Sequence, residues 1–292
     1  MIPRIYIAFS LLILIHVGAS SQDKNIQQYT PSVLIEKGHW EYKFFNNLYT
    51  QTKGFDDSGD KINYDGRGSY FSSINQFLYG VGPKLNVGFD LWVKSVRLDD
   101  TESSAFKTLT FENSPNTRTA ISGFGPKIKI APLKSVEKLS LQSTFLIPIA
   151  SDMEGVSNGK PYLSEDSYIW FTQLFYDQSI GNKFQLFMQF APWVYYKKYD
   201  QPDDASRFSY ANPVSLFVSY FPTDRFTIYL QNEYWPSFGS EGIASWFIQE
   251  GLGVKYQVIP GFLETEILAT QFVLGKNSGA GTTFNFGLRF IR

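Results

Sequence analysis

The sequence predicts an all-β chain closed into a transmembrane antiparallel up-and-down β-barrel of about twelve strands. Three observations carry this. Aromatic residues are in excess, with Phe 27, Tyr 18 and Trp 6 making 17% of 292 residues. Charged residues make 18%, against roughly 25% in an ordinary soluble domain. Apolar residues recur with a period of two, and the breaks between such runs alternate in length along the whole chain.

The first segment reads as an address. Arg4 is followed by the apolar run Ile5–Val17 and by the small residues Gly18-Ala19-Ser20-Ser21, the plan of a secretory signal peptide. The run is shorter than the about 20 apolar residues a spanning helix needs. Residues 1–22 are therefore expected to be a signal that is removed, with cleavage between Ala19 and Gln22. Residues 23–36 form a polar lead with Pro31, lying in the periplasm or folding into the barrel mouth. The barrel itself is expected over 37–292.

The strands follow from alternation. Leu85, Val87, Phe89, Leu91 and Val93 share one face; Asn86, Gly88, Asp90, Trp92 and Lys94 share the other. Phe184, Leu186, Met188, Phe190 and Val194 oppose Gln185, Phe187, Gln189 and Ala191. Val214, Leu216, Val218 and Tyr220 oppose Ser215, Phe217 and Ser219, and Phe226, Ile228 and Leu230 oppose Thr227, Tyr229 and Gln231. At the end Phe284, Phe286, Leu288 and Phe290 oppose Asn285, Gly287 and Arg289. The predicted strands are 37–53, 68–81, 85–97, 119–133, 138–150, 167–180, 184–197, 208–221, 226–235, 243–258, 262–274 and 282–292.

Five breaks are tight: Gly82-Pro83-Lys84, Lys134–Glu137, Gly181-Asn182-Lys183, Pro222–Arg225 and Ile259-Pro260-Gly261. Six are longer and polar: 54–67, 98–118, 151–166, 198–207, 236–242 and 275–281. Long and short alternate strictly, the connectivity of a membrane barrel with short periplasmic turns and longer outer loops. A soluble β-sandwich has no reason to alternate its loops, and its strands usually run about 5–6 residues. Trp40 and Tyr42, Tyr195 and Tyr196, Tyr234 and Trp235, Trp246 and Tyr256 fall near strand ends, where aromatic girdles sit at bilayer interfaces. Strand 68–81 has no clean polar face, and Glu250 falls on the lipid-facing parity; a bulge or register shift is the expected cause.

The hairpin Leu78-Tyr79-Gly80-Val81-Gly82-Pro83-Lys84-Leu85-Asn86-Val87-Gly88, the exit of Thr144–Ala150 into a Gly-rich loop, and the closing strand Phe284–Phe290 resemble outer-membrane barrels assigned as transporters. The resemblance lies near the proteins linked to a meta-pathway of phenol degradation. It implies a barrel and solute passage, names no substrate and carries over no site residue.

Polar parity inward places Glu41, Lys43, Asp90, Lys94, Lys127, Lys129, Asp177, Glu233, Lys255, Glu264, Glu266 and Arg289 in the lumen, six acidic and six basic. Most of them lie near a short turn or a terminus. Asn47, Gln142, Gln189 and Gln231, with Trp92, Phe187, Trp193 and Tyr229, line it higher up. Either these charges form a polar constriction that selects solutes, or they pair across the lumen and lock it. Lys255, Glu264, Glu266 and Arg289 are expected to form one interstrand network near a common rim.

The chain is not read as an enzyme. Ser157-Asn158-Gly159 echoes part of the motif of barrel phospholipases, but Gly155 stands where their His base would be. Apart from His16 in the signal, His39 is the only histidine, and it reads as a structural residue near the periplasmic rim. Zero cysteine excludes disulfides, thiolate metal sites and a Cys nucleophile. Asp56-x-Ser58-x-Asp60 begins like a calcium loop, but Lys61 and Arg67 stand where Gly and Glu are required, so these are solvated loop acids. No metal and no cofactor is expected. A net charge of -1 offers no basic surface for nucleic acid. The expected partners are outer-membrane lipid, small solutes and other outer-membrane proteins. Two functions stand open: a channel or transporter for small solutes, and a closed-lumen accessory subunit of a larger outer-membrane complex.

Overall fold

The computed structural model describes residues 31–133, 135–136, 138–157, 159–198, 207–239 and 242–292. The expected signal segment, the first part of the lead, Lys134 and Glu137 of one turn and most of the 198–207 loop lie outside the described residues.

The chain forms β1 (Trp40–Phe55), β2 (Lys61–Gly82), β3 (Leu85–Asp99), β4 (Thr117–Ile130), β5 (Leu139–Pro148), β6 (Ser167–Ile180), β7 (Phe184–Phe190) and β8 (Trp193–Lys197). These continue as β9 (Phe208–Ala211), β10 (Val214–Thr223), β11 (Phe226–Gly239), β12 (Gly242–Ile259), β13 (Leu263–Lys276), β14 (Ser278–Gly279) and β15 (Thr282–Ile291). A 3-10 helix, Ala105–Thr110, lies between β3 and β4. The segments make a closed barrel of twelve antiparallel strands, because β7 with β8 and β9 with β10 are each one interrupted strand and β14 is a two-residue tip.

Closure is made between β1 and β15, paired from Glu41↔Ile291 to Thr50↔Thr282. At the seam's end Trp40 N–H donates to the Arg292 carbonyl at 2.6 Å, and Arg292 N–H returns to Trp40 O at 2.9 Å. No backbone edge is left along this seam, as hydrocarbon requires.

The alternation sorts the side chains as the sequence implies. On β3 Leu85, Val87 and Phe89 are exposed on the outer wall, while Asn86, Asp90 and Trp92 are buried inside. Trp40, Tyr42, Phe77 and Phe290 form an aromatic patch on the outer wall at the turn end, with Trp40 and Phe77 centroids 6.4 Å apart.

Four details depart from the expectation. First, the connections at 54–67, 236–242 and 275–281 are largely paired backbone. Phe55↔Lys61 and Ser237↔Ser245 extend two hairpins, and β14 pairs back on Gly54 and Phe55. Strand pairing needs only backbone groups, so a hairpin that rises past the apolar band into water carries polar side chains and reads as loop. Second, strands 184–197 and 208–221 are each broken, at Ala191-Pro192 and Asn212-Pro213. Proline has no N–H for the ladder. The breaks lie side by side and stay bonded through Thr172 N–H to Pro192 O at 3.0 Å, Ala191 N–H to Pro213 O at 2.9 Å and Asn212 N–H to Pro236 O at 3.1 Å.

Third, Tyr195 and Trp235 do not belong to a girdle. Tyr195 pairs with buried Ile169, and Trp235 packs tilted against Trp193, so both face inward. Fourth, the register does shift beside Ile248 and Gln249, but Glu250 is not turned inside. It stays outward and exposed, directly between Asn232 and Gln271.

Candidate functional site: the barrel interior

The interior is layered. At the turn end lies a charged layer, built because β1, β3, β4, β12, β13 and β15 each turn polar residues inward at the same level. Arg289 donates from Nε to Glu41 Oε2 at 2.6 Å, and its terminal nitrogen lies 2.5 Å from the same oxygen. Lys43 Nζ is 3.1 Å from Glu41 Oε1. Glu264 stands across from Arg289 in the β13–β15 register and is buried. Lys255 and Glu266 pair at 3.7 Å, and the Tyr229 hydroxyl donates to Glu266. Gly253, opposite Tyr229 in the β11–β12 register, makes room for that ring; a Cβ there would collide with it. On the far wall Lys127 and Asp90 pair at 2.5 Å, and the Gln76 amide adds a bond to Asp90 at 3.3 Å.

The described part of the lead closes over this layer. Lys129 Nζ donates to the Val33 carbonyl at 2.5 Å, Ser32 Oγ donates to Asp177, and Asn86 exchanges two bonds with the Ile35 backbone at 2.7 and 2.8 Å. Ser32 and Ile35 are buried. Residues 32–35 thus fold into the barrel mouth, one of the two placements expected.

Above it lies a polar middle. Glu233 accepts amide bonds from Gln231 and Gln249, each at 2.9 Å. Among the described residues no cation lies within ion-pair distance of it. Asn47 and Asn285 bond at 2.7 Å, and Gln142 and Gln173 at 2.8 Å. An aromatic chain circles this level. Its centroid steps are Trp92–Phe171 5.9 Å, Phe171–Trp193 4.4 Å, Trp193–Trp235 5.5 Å and Trp235–Phe247 6.0 Å. It continues Phe247–Phe272 4.3 Å, Phe272–Tyr49 5.0 Å and Tyr49–Tyr70 5.9 Å. These are ordinary packing distances for aromatic pairs.

At the loop end the β5–β6 connection folds inward. Arg118 donates to the Asp152 and Ser151 carbonyls at 2.5 and 2.8 Å, and Lys94 to Ser164 Oγ at 2.8 Å. Met153 and Leu163 are buried there. The sequence offered no sign of Arg118 or Met153 as parts of the interior, and none that chose between the two placements of the lead. Loop and lead residues have no periodicity, and only their distant partners reveal where they go.

The interior is not uniform around its circumference. The Lys127 and Asp90 side chains are 0% and 2% exposed. Lys43 and Glu266 keep 25% and Lys255 keeps 30%. The wall of β3–β6 is packed. The wall of β1, β2 and β12 leaves Asn47, Tyr49, Gln76, Phe247 and Gln249 partly open.

No catalytic set is assembled by the residues considered. Ser157 is an exposed loop residue whose N–H donates to Asp152 at 3.1 Å, and His39 is exposed at the opposite end of the barrel. Asp56 caps its own hairpin, accepting from Ser58 and Asp60 N–H groups at 2.9 Å. Among the described residues no three His, Cys, Asp or Glu side chains are grouped to hold a metal ion.

No family model matches the chain, and no curated protein matches it. In fold it is similar to a solved outer-membrane channel from Pseudomonas putida F1, with a TM-score of 0.64 and 10% identity over 90% of this chain and 98% of that one. KdgM porin and NanC porin match more loosely, with TM-scores of 0.44 and 0.45 at 9% and 11% identity, covering 86% and 84% of this chain and 98% of each porin. The chain shares the fold of outer-membrane barrels.

Proposed function

We propose that this protein is a narrow channel for small solutes in the outer membrane. One observation carries the reading: three inward charges, Lys43 on β1, Lys255 on β12 and Glu266 on β13, retain solvent access of 25–30% beside the buried Glu41 and Glu264, while the Lys127–Asp90 pair on the opposite wall is sealed. A lumen locked by charge pairing alone would bury both sets alike. The open wall offers a solute charges of both signs at the turn end. In the middle it offers a carboxylate, Glu233, held by neutral groups, the Gln231 and Gln249 amides and the Ser215 hydroxyl. Fixed charges along a narrow lumen set which ions and solutes pass.

The same reading takes residues 1–22 as a cleaved export signal, 23–36 as a lead and 37–292 as the barrel. It gives the twelve inward charged residues the role of lumen lining, without catalysis or cofactor. It places the chain beside the transporter-like barrels that its hairpins and closing strand resemble, with lipid, small solutes and other outer-membrane proteins as its surroundings.

Single-channel recording in planar bilayers tests it. The expected result is steady small openings whose cation preference falls in Glu233→Gln. A folded protein, shown by heat-modifiable migration, that stays silent in both forms would overturn the channel and leave the closed accessory subunit.

A further inference from the structure

We infer that the β3–β4 connection is a membrane-contacting flap: it lies on the outside of the barrel and presents Phe106, Leu109 and Phe111 to the acyl chains just below the headgroups. This rests on the barrel fold and is independent of the channel reading.

The first observation is burial on the wrong side. Leu48, Thr50, Ser69 and Ser95 all have outward parity, since they alternate with the inward Asn47, Tyr49, Tyr70 and Lys94. An outward residue of a membrane barrel faces lipid and should be exposed in the isolated chain, as Phe284 and Phe286 are. Yet Leu48, Thr50, Ser69 and Ser95 are buried. The 3-10 helix Ala105–Thr110 packs on β2 and β3 here, with Ala105 and Thr108 its buried residues, and the Arg67 guanidinium reaches Thr50 Oγ1 at 3.0 Å. Ser95 Oγ donates to the Thr108 carbonyl at 3.2 Å and shares a bond with Thr119 at 2.8 Å. The wall at this place is a patch of hydroxyls, unsuited to hydrocarbon; Thr50 and Ser69 bond each other at 3.3 Å, and the flap takes up Ser95.

The second observation is what the flap shows on its other side. Phe106 is 58% exposed, Leu109 38% and Phe111 48%. Three large apolar side chains facing water from one short loop forgo the favourable burial that lipid would give them. The flap is continuous with the lipid-facing wall. The Phe106 ring lies 6.0 Å from Phe284, and the Phe111 ring meets Phe71 edge-on at 5.6 Å. Phe111 adopts a left-handed backbone, φ 53°, an uncommon state for a bulky residue and the one that turns its ring back onto Phe71. Lys107, exposed between Phe106 and Leu109, has the reach to place its ammonium among anionic headgroups. Exposed apolar side chains flanking one exposed cation fit the boundary of a bilayer leaflet.

The chain has no cysteine, so single labels are clean. Leu109→Cys and Phe106→Cys would be labelled with an environment-sensitive fluorophore, with Phe286→Cys as the lipid-facing control and Glu102→Cys as the aqueous one. Each would be folded into phosphatidylcholine–phosphatidylglycerol vesicles, and heat-modifiable migration would confirm folding. The expected result is blue-shifted emission at 106 and 109 and quenching by brominated acyl chains, matching 286, while 102 is quenched by iodide. Iodide quenching at 106 and 109 without acyl-chain quenching would overturn the inference and place the flap in water. Loss of both quenching modes together with a Leu109→Cys disulfide between two copies would overturn it in favour of a protein contact.

Discussion

Arg289 and Glu41 bind across the seam that closes the barrel: the guanidinium reaches from β15 to β1 and places two nitrogens on one carboxylate oxygen, at 2.6 and 2.5 Å. They are not directly opposed. Lys43 faces Arg289 in the register, and Glu41 lies one inward step further on. Glu41 thereby holds both cations. Arg289→Ala should therefore destabilise by about 3 kcal/mol, because a carboxylate 2% exposed keeps only Lys43. A urea titration followed by heat-modifiable migration measures it. The double variant with Glu41→Ala should lose less than the two single losses together, since the second change removes the stranded charge.

Removing Thr282–Arg292 should abolish the folded barrel altogether. β1 would lose ten register pairs, from Glu41 to Thr50, and face lipid with open backbone groups, each costing several kcal/mol. A truncated chain that still migrates as a folded, heat-modifiable species would refute the closed topology.

Two lysines at similar depth should behave in opposite ways. Lys127 is fully buried on Asp90, so Lys127→Met should weaken folding by roughly 3 kcal/mol and leave ion selectivity alone. Lys255 is 30% exposed beside Glu266, so Lys255→Met should shift the reversal potential toward cation preference at little cost in stability. Equal effects on selectivity from both would contradict the asymmetric interior.

Glu250 is the outward charge that the bulge did not rescue. It sits between Asn232 and Gln271 across the strands and between Ile248 and Leu252 along its own, among residues of the outer wall. Glu250→Leu should stabilise the protein in lipid by roughly 1–2 kcal/mol, less than for a lysine or arginine at such a site. The readout is the urea midpoint in vesicles; an unchanged or lower midpoint would mean that something other than lipid covers Glu250.

The barrel was legible because a two-residue period and alternating loop lengths are properties of the sequence itself. The inward face could be read from Asn86, Asp90 and Trp92 against Val87 and Phe89 without any coordinates. Partners could not. Arg289 was expected to join Lys255, Glu264 and Glu266; it does stand opposite Glu264, but nothing in the sequence hinted that its guanidinium binds Glu41, 248 positions away. Trp235 looked like a girdle residue because it follows Tyr234 near a strand's apparent end. The strand runs on to Gly239, and parity carries Trp235 inside. The flap was read as a polar loop because Phe106, Leu109 and Phe111 stand among charged and hydroxyl residues, and no pattern in 98–118 says which wall they rest on.

The lead gives the last prediction. Residues 32–35 close the turn-end mouth through Lys129, Asp177 and Asn86. They contribute backbone carbonyls, one N–H and a hydroxyl, but no strand of the barrel wall. Their removal should leave the seam and every strand pairing intact, so a chain lacking residues 23–36 but retaining residues 1–22 should still reach the membrane and show the folded band. It would widen the mouth on the packed side and return Lys129 to water. If that mouth limits flow, the shortened chain should conduct more than the full one and shift toward anions, because a cation once held by the Val33 carbonyl now faces the lumen. Unchanged conductance and selectivity would place the limiting constriction at the loop end instead, where Arg118 and Lys94 hold the inward β5–β6 connection. In that case Arg118→Ala should be the variant that opens the passage.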